Sequence, residues 1–272
     1  MKSPPRGGIL VGEITTTMAT IDINCDMGES FGAYTIGDDL AMLDTVTSAN
    51  VACGFHGGDP EVMASTFKAA KDRGVAVGAH PGFPDLWGFG RRRLPYTHAE
   101  ITRLVAYQIG AAMAMAALVG HKITHVKAHG ALGNMAAEDA DVAFAVAQAI
   151  AGVDRSLPIL VIGGSGLERG ADKAGIPMVY EIYADRAYTD DGQLVSRKIA
   201  GSVIHDPQAA AQRVTAMIDA GAVISVNGKK LKTRIDTICV HGDTPGAVPI
   251  GRAVRKGLED AGHTLKPFAQ RS

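Results

Sequence analysis

From Thr20 onward, short apolar runs alternate along the chain with longer amphipathic stretches. Seven runs stand out, at residues 21–25, 48–53, 75–79, 123–128, 158–162, 178–183 and 237–240. Each is β-branched in places and lacks strict alternation, the pattern of a strand covered on both faces. Between them, Val62, Met63, Thr66, Phe67 and Ala70 recur at the spacing of one helix face, which predicts a helix over 60–73. The same spacing predicts helices over 98–119 and 207–220. Asp59-Pro60 and Asp206-Pro207 place an N-cap acid before a proline at the first helical position, and Thr97 with Glu100 has the spacing of a capping box. Residues 222–236 read as an inserted hairpin turning at Asn227-Gly228. Repeated strand–helix alternation demands crossovers and hence a mostly parallel sheet. Seven units without a break in composition predict a single (β/α)7 barrel over 18–272; the alternative is an open doubly wound sheet. Residues 1–17 carry Pro4-Pro5 and Gly7-Gly8 without periodicity and read as a flexible extension, with Met18 an alternative start.

Composition narrows the function classes. Of 272 residues, 46% are hydrophobic and 20% charged, so a sizeable core can form and disorder is excluded as the main state. Lys and Arg number 27 against 28 Asp and Glu, which removes the basic excess expected of a protein that binds nucleic acid or a membrane surface. None of the three cysteines, Cys25, Cys53 and Cys239, sits in a CxxC, so neither a disulfide framework nor a zinc ribbon is expected. No apolar run approaches the length of a membrane span. These features together predict a cytoplasmic protein.

The chemistry collects after the strands. Asn24, Asp26 and Glu29 follow the first, with Asn50, His56 and Asp59 at the second and His80 at the third. Lys127 and His129 follow the fourth, Glu181, Asp185 and Arg186 belong to the sixth, and His241 and Asp243 end the seventh. In parallel β/α folds the carboxyl ends of the strands share one rim, so these groups are expected to converge on one pocket. Charges gathered in a partly dry cleft cost desolvation energy, which a structural protein has no reason to incur. Asp59 reads better as a helix cap than as a catalyst, Asp243 serves equally as cap or site residue, and the cysteines read as small core fillers rather than nucleophiles. His98, His121, His205 and His263 fall near helix ends and are assigned to the surface. Imidazoles and carboxylates are also metal ligands. No HExxH or HxxxH pair occurs at the strand ends, however, so no metal ligands are assigned, and the same groups serve as general acid and base.

Two loops add detail. Residues 81–96 combine glycines, aromatics and Arg91-Arg92-Arg93, as suits a lid over an anionic substrate; an ordinary ordered loop is the alternative. Gly163-Gly164-Ser165-Gly166 could present backbone N–H groups to a phosphate. No P-loop occurs anywhere, so ATP, if used, is not held through one.

The longer motifs carry a resemblance. Residues 24–32 (NCDMGESFG), 48–56 (SANVACGFH), 78–82 (GAHPG) with 88–92 (GFGRR), His125-Val126-Lys127, 129–132 (HGAL), 184–188 (ADRAY) and 239–243 (CVHGD) resemble the LamB/YcsF family, whose members are known as A subunits of 5-oxoprolinase. The resemblance spans about residues 20–267. Ala128 stands where the family has proline and Gly133 where it has tyrosine, both of which bear on pocket shape. The resemblance implies a barrel of the glycoside hydrolase/deacetylase type. It also implies ATP-dependent opening of 5-oxo-L-proline to L-glutamate, with partner subunits B and C completing the enzyme. ATP is then a co-substrate, and its possible holder is one of those partners.

The chemistry fits such coupling, because a five-membered lactam is a stable amide that needs activation. From the residues themselves, Asp26 or Glu29 is expected to activate water, His56 or His129 to move protons, and Lys127 to steady an oxyanion or phosphate. Arg91, Arg92 or Arg186 is expected to hold the substrate carboxylate, with Asn50, His80, Glu181, Asp185, His241 and Asp243 completing the substrate site. Two alternatives stay open: a stand-alone metal-dependent amidohydrolase or deacetylase, and a binding subunit that presents substrate to a partner.

Overall fold

Each of the seven apolar runs forms a strand, and the strands curl into a ring. The computed structural model describes residues 18–242 and 246–271. In chain order the elements are β1 (Thr20–Met27), α1 (Asp39–Leu43), β2 (Ser48–Ala52), α2 (Pro60–Asp72), β3 (Ala76–His80), α3 (His98–Leu118), β4 (Ile123–Val126), α4 (Gly130–Glu138) and α5 (Ala140–Asp154). There follow β5 (Ile159–Val161), α6 (Gly166–Ala174), β6 (Met178–Tyr183), α7 (Pro207–Ala220), β7 (Ala222–Ile224), β8 (Lys230–Lys232), β9 (Thr237–Val240), α8 (Ala247–Asp260) and β10 (Thr264–Leu265).

All neighbours in the ring β1-β2-β3-β4-β5-β6-β9 are parallel, and β1 closes it by pairing with both β2 and β9. The closure excludes the open doubly wound sheet. β10 adds two residues beside the start of β1, Thr264 opposite Thr20. The hairpin β7–β8 is antiparallel, with Ile224 opposite Lys230, and Gly228 supplies the positive φ its turn requires. Residues 1–17 and Asp243, both of which carry expectations from the sequence, lie outside the described residues.

Helix boundaries follow the caps. The Asp59 carboxylate accepts from the Glu61 and Val62 amides and Asp206 from that of Ala209, each just ahead of a proline. Thr97 and Glu100 complete their capping box. Outward-facing strand residues such as Ile23, Cys25, Val51, Val77 and Ile238 are buried against the helices. α3 is long and apolar enough by composition to cross a bilayer, which a count of consecutive apolar residues misses. Its Ile101, Val105, Ile109, Ala112 and Ala116 stripe is buried on the barrel. His98 and His205 are exposed, but His263, expected at the surface, is buried, and its Nδ1 accepts from the Ala19 amide. The β1–β10 pairing draws it inward.

Candidate active site

Alternate residues of a strand face opposite sides, and those facing the barrel axis here are polar. At the amino-terminal end of the barrel the Thr47 and Ser48 hydroxyls each donate to Asp22 Oδ1 at 2.6 Å, and the Thr237 hydroxyl donates to its other oxygen. Burial pushes this carboxyl up to about 6 despite those bonds. One layer higher, the Asn24 amide donates to Glu181 Oε1 (2.9 Å) and Thr237 Oγ1 (2.8 Å). The Asn50 amide donates to Asn24 Oδ1 (2.8 Å) and Asp26 Oδ1 (2.9 Å). His125 Nε2 lies 2.8 Å from Asn50 Oδ1 and donates to it. These bonds fix the carboxamides that hold the floor of the site.

The top layer carries the reactive groups. Lys127 Nζ sits 2.9 Å from Asp26 Oδ1, 3.1 Å from Glu181 Oε1 and 3.0 Å from Cys239 Sγ. Burial alone would lower its pKa, but Asp26, Cys239 and Glu181 outweigh burial and hold the ammonium well above its usual range. Burial likewise opposes ionisation of Asp26, yet His80, Lys127 and His241 around it hold its carboxyl well below the ordinary carboxylate range. Asp26 and Lys127 thus stand as a carboxylate and an ammonium at the rim. Nearby, both Asp185 oxygens lie 2.9 Å from His241 Nδ1, and the Tyr183 ring stacks on the imidazole at 5.3 Å between centroids. Burial would raise the Asp185 carboxyl, but His241 lowers it on balance.

Beside this pair lies a cluster of four buried side chains. Glu29 Oε1 is 3.2 Å from His56 Nε2 and 3.3 Å from His129 Nδ1, while His80 Nε2 is 3.0 Å from His129 Nδ1. The His56 and His129 rings stack in parallel at 3.6 Å. Burial lowers the imidazole of His56 to about 4 and that of His80 to about 3. The three cysteines are buried and burial pushes their thiols up, Cys53 to about 12; Cys25 and Cys53 pack in the core as expected, whereas Cys239 places its Sγ against Lys127 in the site.

A cavity of about 530 Å3 opens above these groups. Asp26, His80, Lys127, His129, Glu181 and His241 form part of its wall, as do Arg91 and Arg186. Glu29 and His56 do not line it and touch it through His129. Asn50 and Asp185 lie behind Asp26 and His241 as positioning residues. Arg92 does not line the cavity, contrary to the expectation that it grips substrate. It forks the Asp85 carboxylate, which is nearly inaccessible to solvent, and so ties the 81–96 loop to itself. That loop is anchored further by the Gln108 amide, which bonds both the N–H and the C=O of Gly82, and by His129 Nε2 against the Phe89 carbonyl. The Gly164 N–H expected to meet a phosphate instead donates to Glu168 Oε2. Sequence reasoning missed Tyr183, Arg197 and Lys198, which also line the cavity. The two cations come from the irregular stretch after β6, where no spacing marks them.

The model of the LamB/YcsF family matches residues 21–272. The chain belongs to the LamB/YcsF family. Proteins named as the A subunit of 5-oxoprolinase, from Gluconobacter oxydans and from Rhodopseudomonas palustris, are each 59% identical over 250 residues, 92% of this chain and 98% of theirs. The crystal structure of the lactam utilization protein from Thermus thermophilus superposes with a TM-score of 0.87 at 44% identity, covering 91% of this chain and 99% of that one. This chain and that protein therefore share the barrel over nearly their whole lengths. Gly133 leaves room for the wall at Ala128: a Cβ added at Gly133 would lie 2.7 Å from the Ala128 carbonyl oxygen.

Proposed function

We propose that this chain is the lactam-opening subunit of an ATP-dependent 5-oxoprolinase, which converts 5-oxo-L-proline to L-glutamate with two partner subunits. The observation that carries the reading is the buried Asp26–Lys127 pair at the floor of a cavity lined by arginines. Relatives at 59% identity are named as the A subunit of 5-oxoprolinase, and they support the same substrate.

The substrate carries one carboxylate and one neutral amide, and its activated form adds a phosphoryl group. Arg186 suits the carboxylate. Its side chain is buried, one terminal nitrogen donates to the Val195 carbonyl, and its Nε has no partner. Arg91, Arg197 and Lys198 further up the wall suit the phosphoryl oxygens.

Transfer of the γ-phosphoryl group of ATP to the lactam oxygen makes C5 electrophilic; we assign ATP binding to one of the partners, since this chain has no P-loop. Asp26, held ionised, takes a proton from the attacking water. The oxygen adds to C5, Lys127 balances the negative charge that develops, and the C5–N bond breaks as the nitrogen takes up a proton. His241, oriented by Asp185, is placed to deliver it. The product is an acyl phosphate, which a second water converts to glutamate and inorganic phosphate. Reconstitution tests the reading. Glutamate should form from 5-oxo-L-proline and ATP only when this chain and both partners are present, and turnover by the partners alone would refute it.

A further inference from the structure

We propose that Glu29 holds His129 as an imidazolium that shares its Nδ1 proton with His80, and that the two imidazoles are positioning residues that return Asp26 to its carboxylate form between one water and the next. The charge on His129 stands on geometry and is independent of the reaction. The role toward Asp26 rests on the lactam opening proposed above.

Hydrogen bonding fixes the tautomers. A carbonyl oxygen only accepts, so His80 Nδ1, 2.8 Å from the Lys127 carbonyl, and His129 Nε2, 2.8 Å from the Phe89 carbonyl, both carry protons. The remaining nitrogens, His80 Nε2 and His129 Nδ1, face each other at 3.0 Å. With both rings neutral, two bare lone pairs would meet there. A proton placed on Glu29 instead would serve His129 Nδ1, 3.3 Å from Oε1, but leave His80 Nε2 against the same lone pair. A proton on His129 Nδ1 satisfies both neighbours, because it donates to His80 Nε2 and lies against the Glu29 carboxylate.

The surroundings fit a single positive charge at this place. His56 donates from Nε2 to Glu29 Oε1, its Nδ1 has no partner, and burial lowers it to about 4, so its ring is neutral. That neutral ring lies parallel on His129 at 3.6 Å, an arrangement that suits a planar cation on a π face. Burial lowers His80 to about 3, which makes it the acceptor of the pair. Burial would raise Glu29, but hydrogen bonds from His129 and His56 hold its carboxyl below the ordinary range. Of the other charges on this side, the Arg91 guanidinium packs over the Phe89 ring at 5.0 Å and the Lys127 ammonium pairs with Asp26.

The proton has a use at Asp26. Lys127 and Asn50 engage Asp26 Oδ1, whereas Oδ2 faces His80 Nε2 at 3.5 Å. Once Asp26 has taken a proton from water, the His129 Nδ1 proton passes to Glu29 Oε1. His80 Nε2, its lone pair freed, takes the proton from Asp26. Asp26 is again a carboxylate, the positive charge lies on His80, Glu29 is a neutral acid, and the total charge is unchanged. His80 then gives its Nε2 proton to water in the cavity, which it lines together with His129, and Glu29 returns its proton to His129. The acyl phosphate thereby meets an Asp26 that can activate the second water.

The test is nitrogen NMR of the histidine side chains in the full chain at pH 8, with His80→Asn and His129→Gln to assign the signals. The expected spectrum shows both His129 nitrogens protonated and His80 protonated on Nδ1 alone. A neutral His129 in the wild-type chain overturns the proposal. Glu29→Gln should leave His129 neutral at the same pH, and a charge retained there overturns the hold ascribed to Glu29; if that variant does not fold, the wild-type spectrum decides. In the three-subunit enzyme, Glu29→Gln should leave KM for 5-oxo-L-proline unchanged and lower kcat by at least roughly 100-fold, the low end of what a positioned proton-transfer group contributes. Acyl phosphate should accumulate at the same time and be trapped by hydroxylamine. A raised KM, or a lowered kcat without acyl phosphate, would show a structural role only and overturn the relay. If the wild-type complex releases no glutamate, lactam opening and the relay fail together, and the spectrum of the chain alone still decides the charge on His129.

Discussion

Lys127→Met removes one charge from the floor of the cavity and keeps most of the side-chain length. In the native protein the ammonium lies within about 3 Å of both Asp26 and Glu181. Glu181 and Lys127 are each about 4% exposed, so water cannot take over. Removing one partner of a buried ion pair costs about 3–5 kcal/mol, because the other charge stays buried and unpaired. In a chain of this size that corresponds to a melting temperature lower by about 6–20 °C. The pH dependence separates this cause from simple loss of packing. In the wild type the depressed Asp26 carboxyl contributes stability that is present above its ordinary pKa and lost only as pH falls through the lower folded value. In the variant burial acts on Asp26 with less opposition, its pKa rises, and the penalty is relieved as protons bind. Urea denaturation of both proteins at pH 8 and pH 5 reads the difference, and the stability gap should narrow on acidification. A gap under about 1 kcal/mol at pH 8, the worth of an exposed ion pair, would refute the reasoning; so would a gap that does not change with pH.

Two further changes probe the frame around the site. Burial lowers His125 from an ordinary 6.5 to about 3, so between those values the unfolded chain binds a proton that the folded chain does not. Its contribution to stability is complete above pH 6.5 and lost as pH falls, and His125→Gln should reduce the acid slope of stability by about 1.4 kcal/mol per pH unit between pH 6 and 4; denaturation midpoints that track wild type across that range would contradict this. Gly133→Ala drives a Cβ to 2.7 Å from the Ala128 carbonyl and should cost about 1–3 kcal/mol, whereas an unchanged melting temperature would show that α4 shifts freely.

The ring of strands was legible because burial on both faces leaves short apolar runs, and because Asp-Pro caps mark the helices that follow. The rim was legible for the same reason: ionisable residues at 26, 80, 127 and 241 each stand at or just beyond a strand end. Sequence hides which buried face is which. Asp22, Asn24 and Asp26 alternate with Ile21, Ile23 and Cys25, yet only the closed barrel reveals that the polar set faces inward. Pairing between distant side chains is hidden too. Nothing in Arg91-Arg92-Arg93 tells that the middle residue folds back onto Asp85 while the first lines the cavity. Likewise no spacing shows that Glu29 reaches imidazoles from three other segments. His263 lay near a helix end and still became buried, because a two-residue strand follows it.

Asp26→Asn in the reconstituted three-subunit enzyme tests the central claim most directly, with glutamate release as the readout and circular dichroism to verify the fold. The amide keeps the size and the contact with Asn50 but cannot take a proton from water. The account predicts a folded protein whose turnover falls by the roughly 100–10,000-fold that a general base supplies. Glutamate release near the wild-type rate would show that the lactam is opened elsewhere.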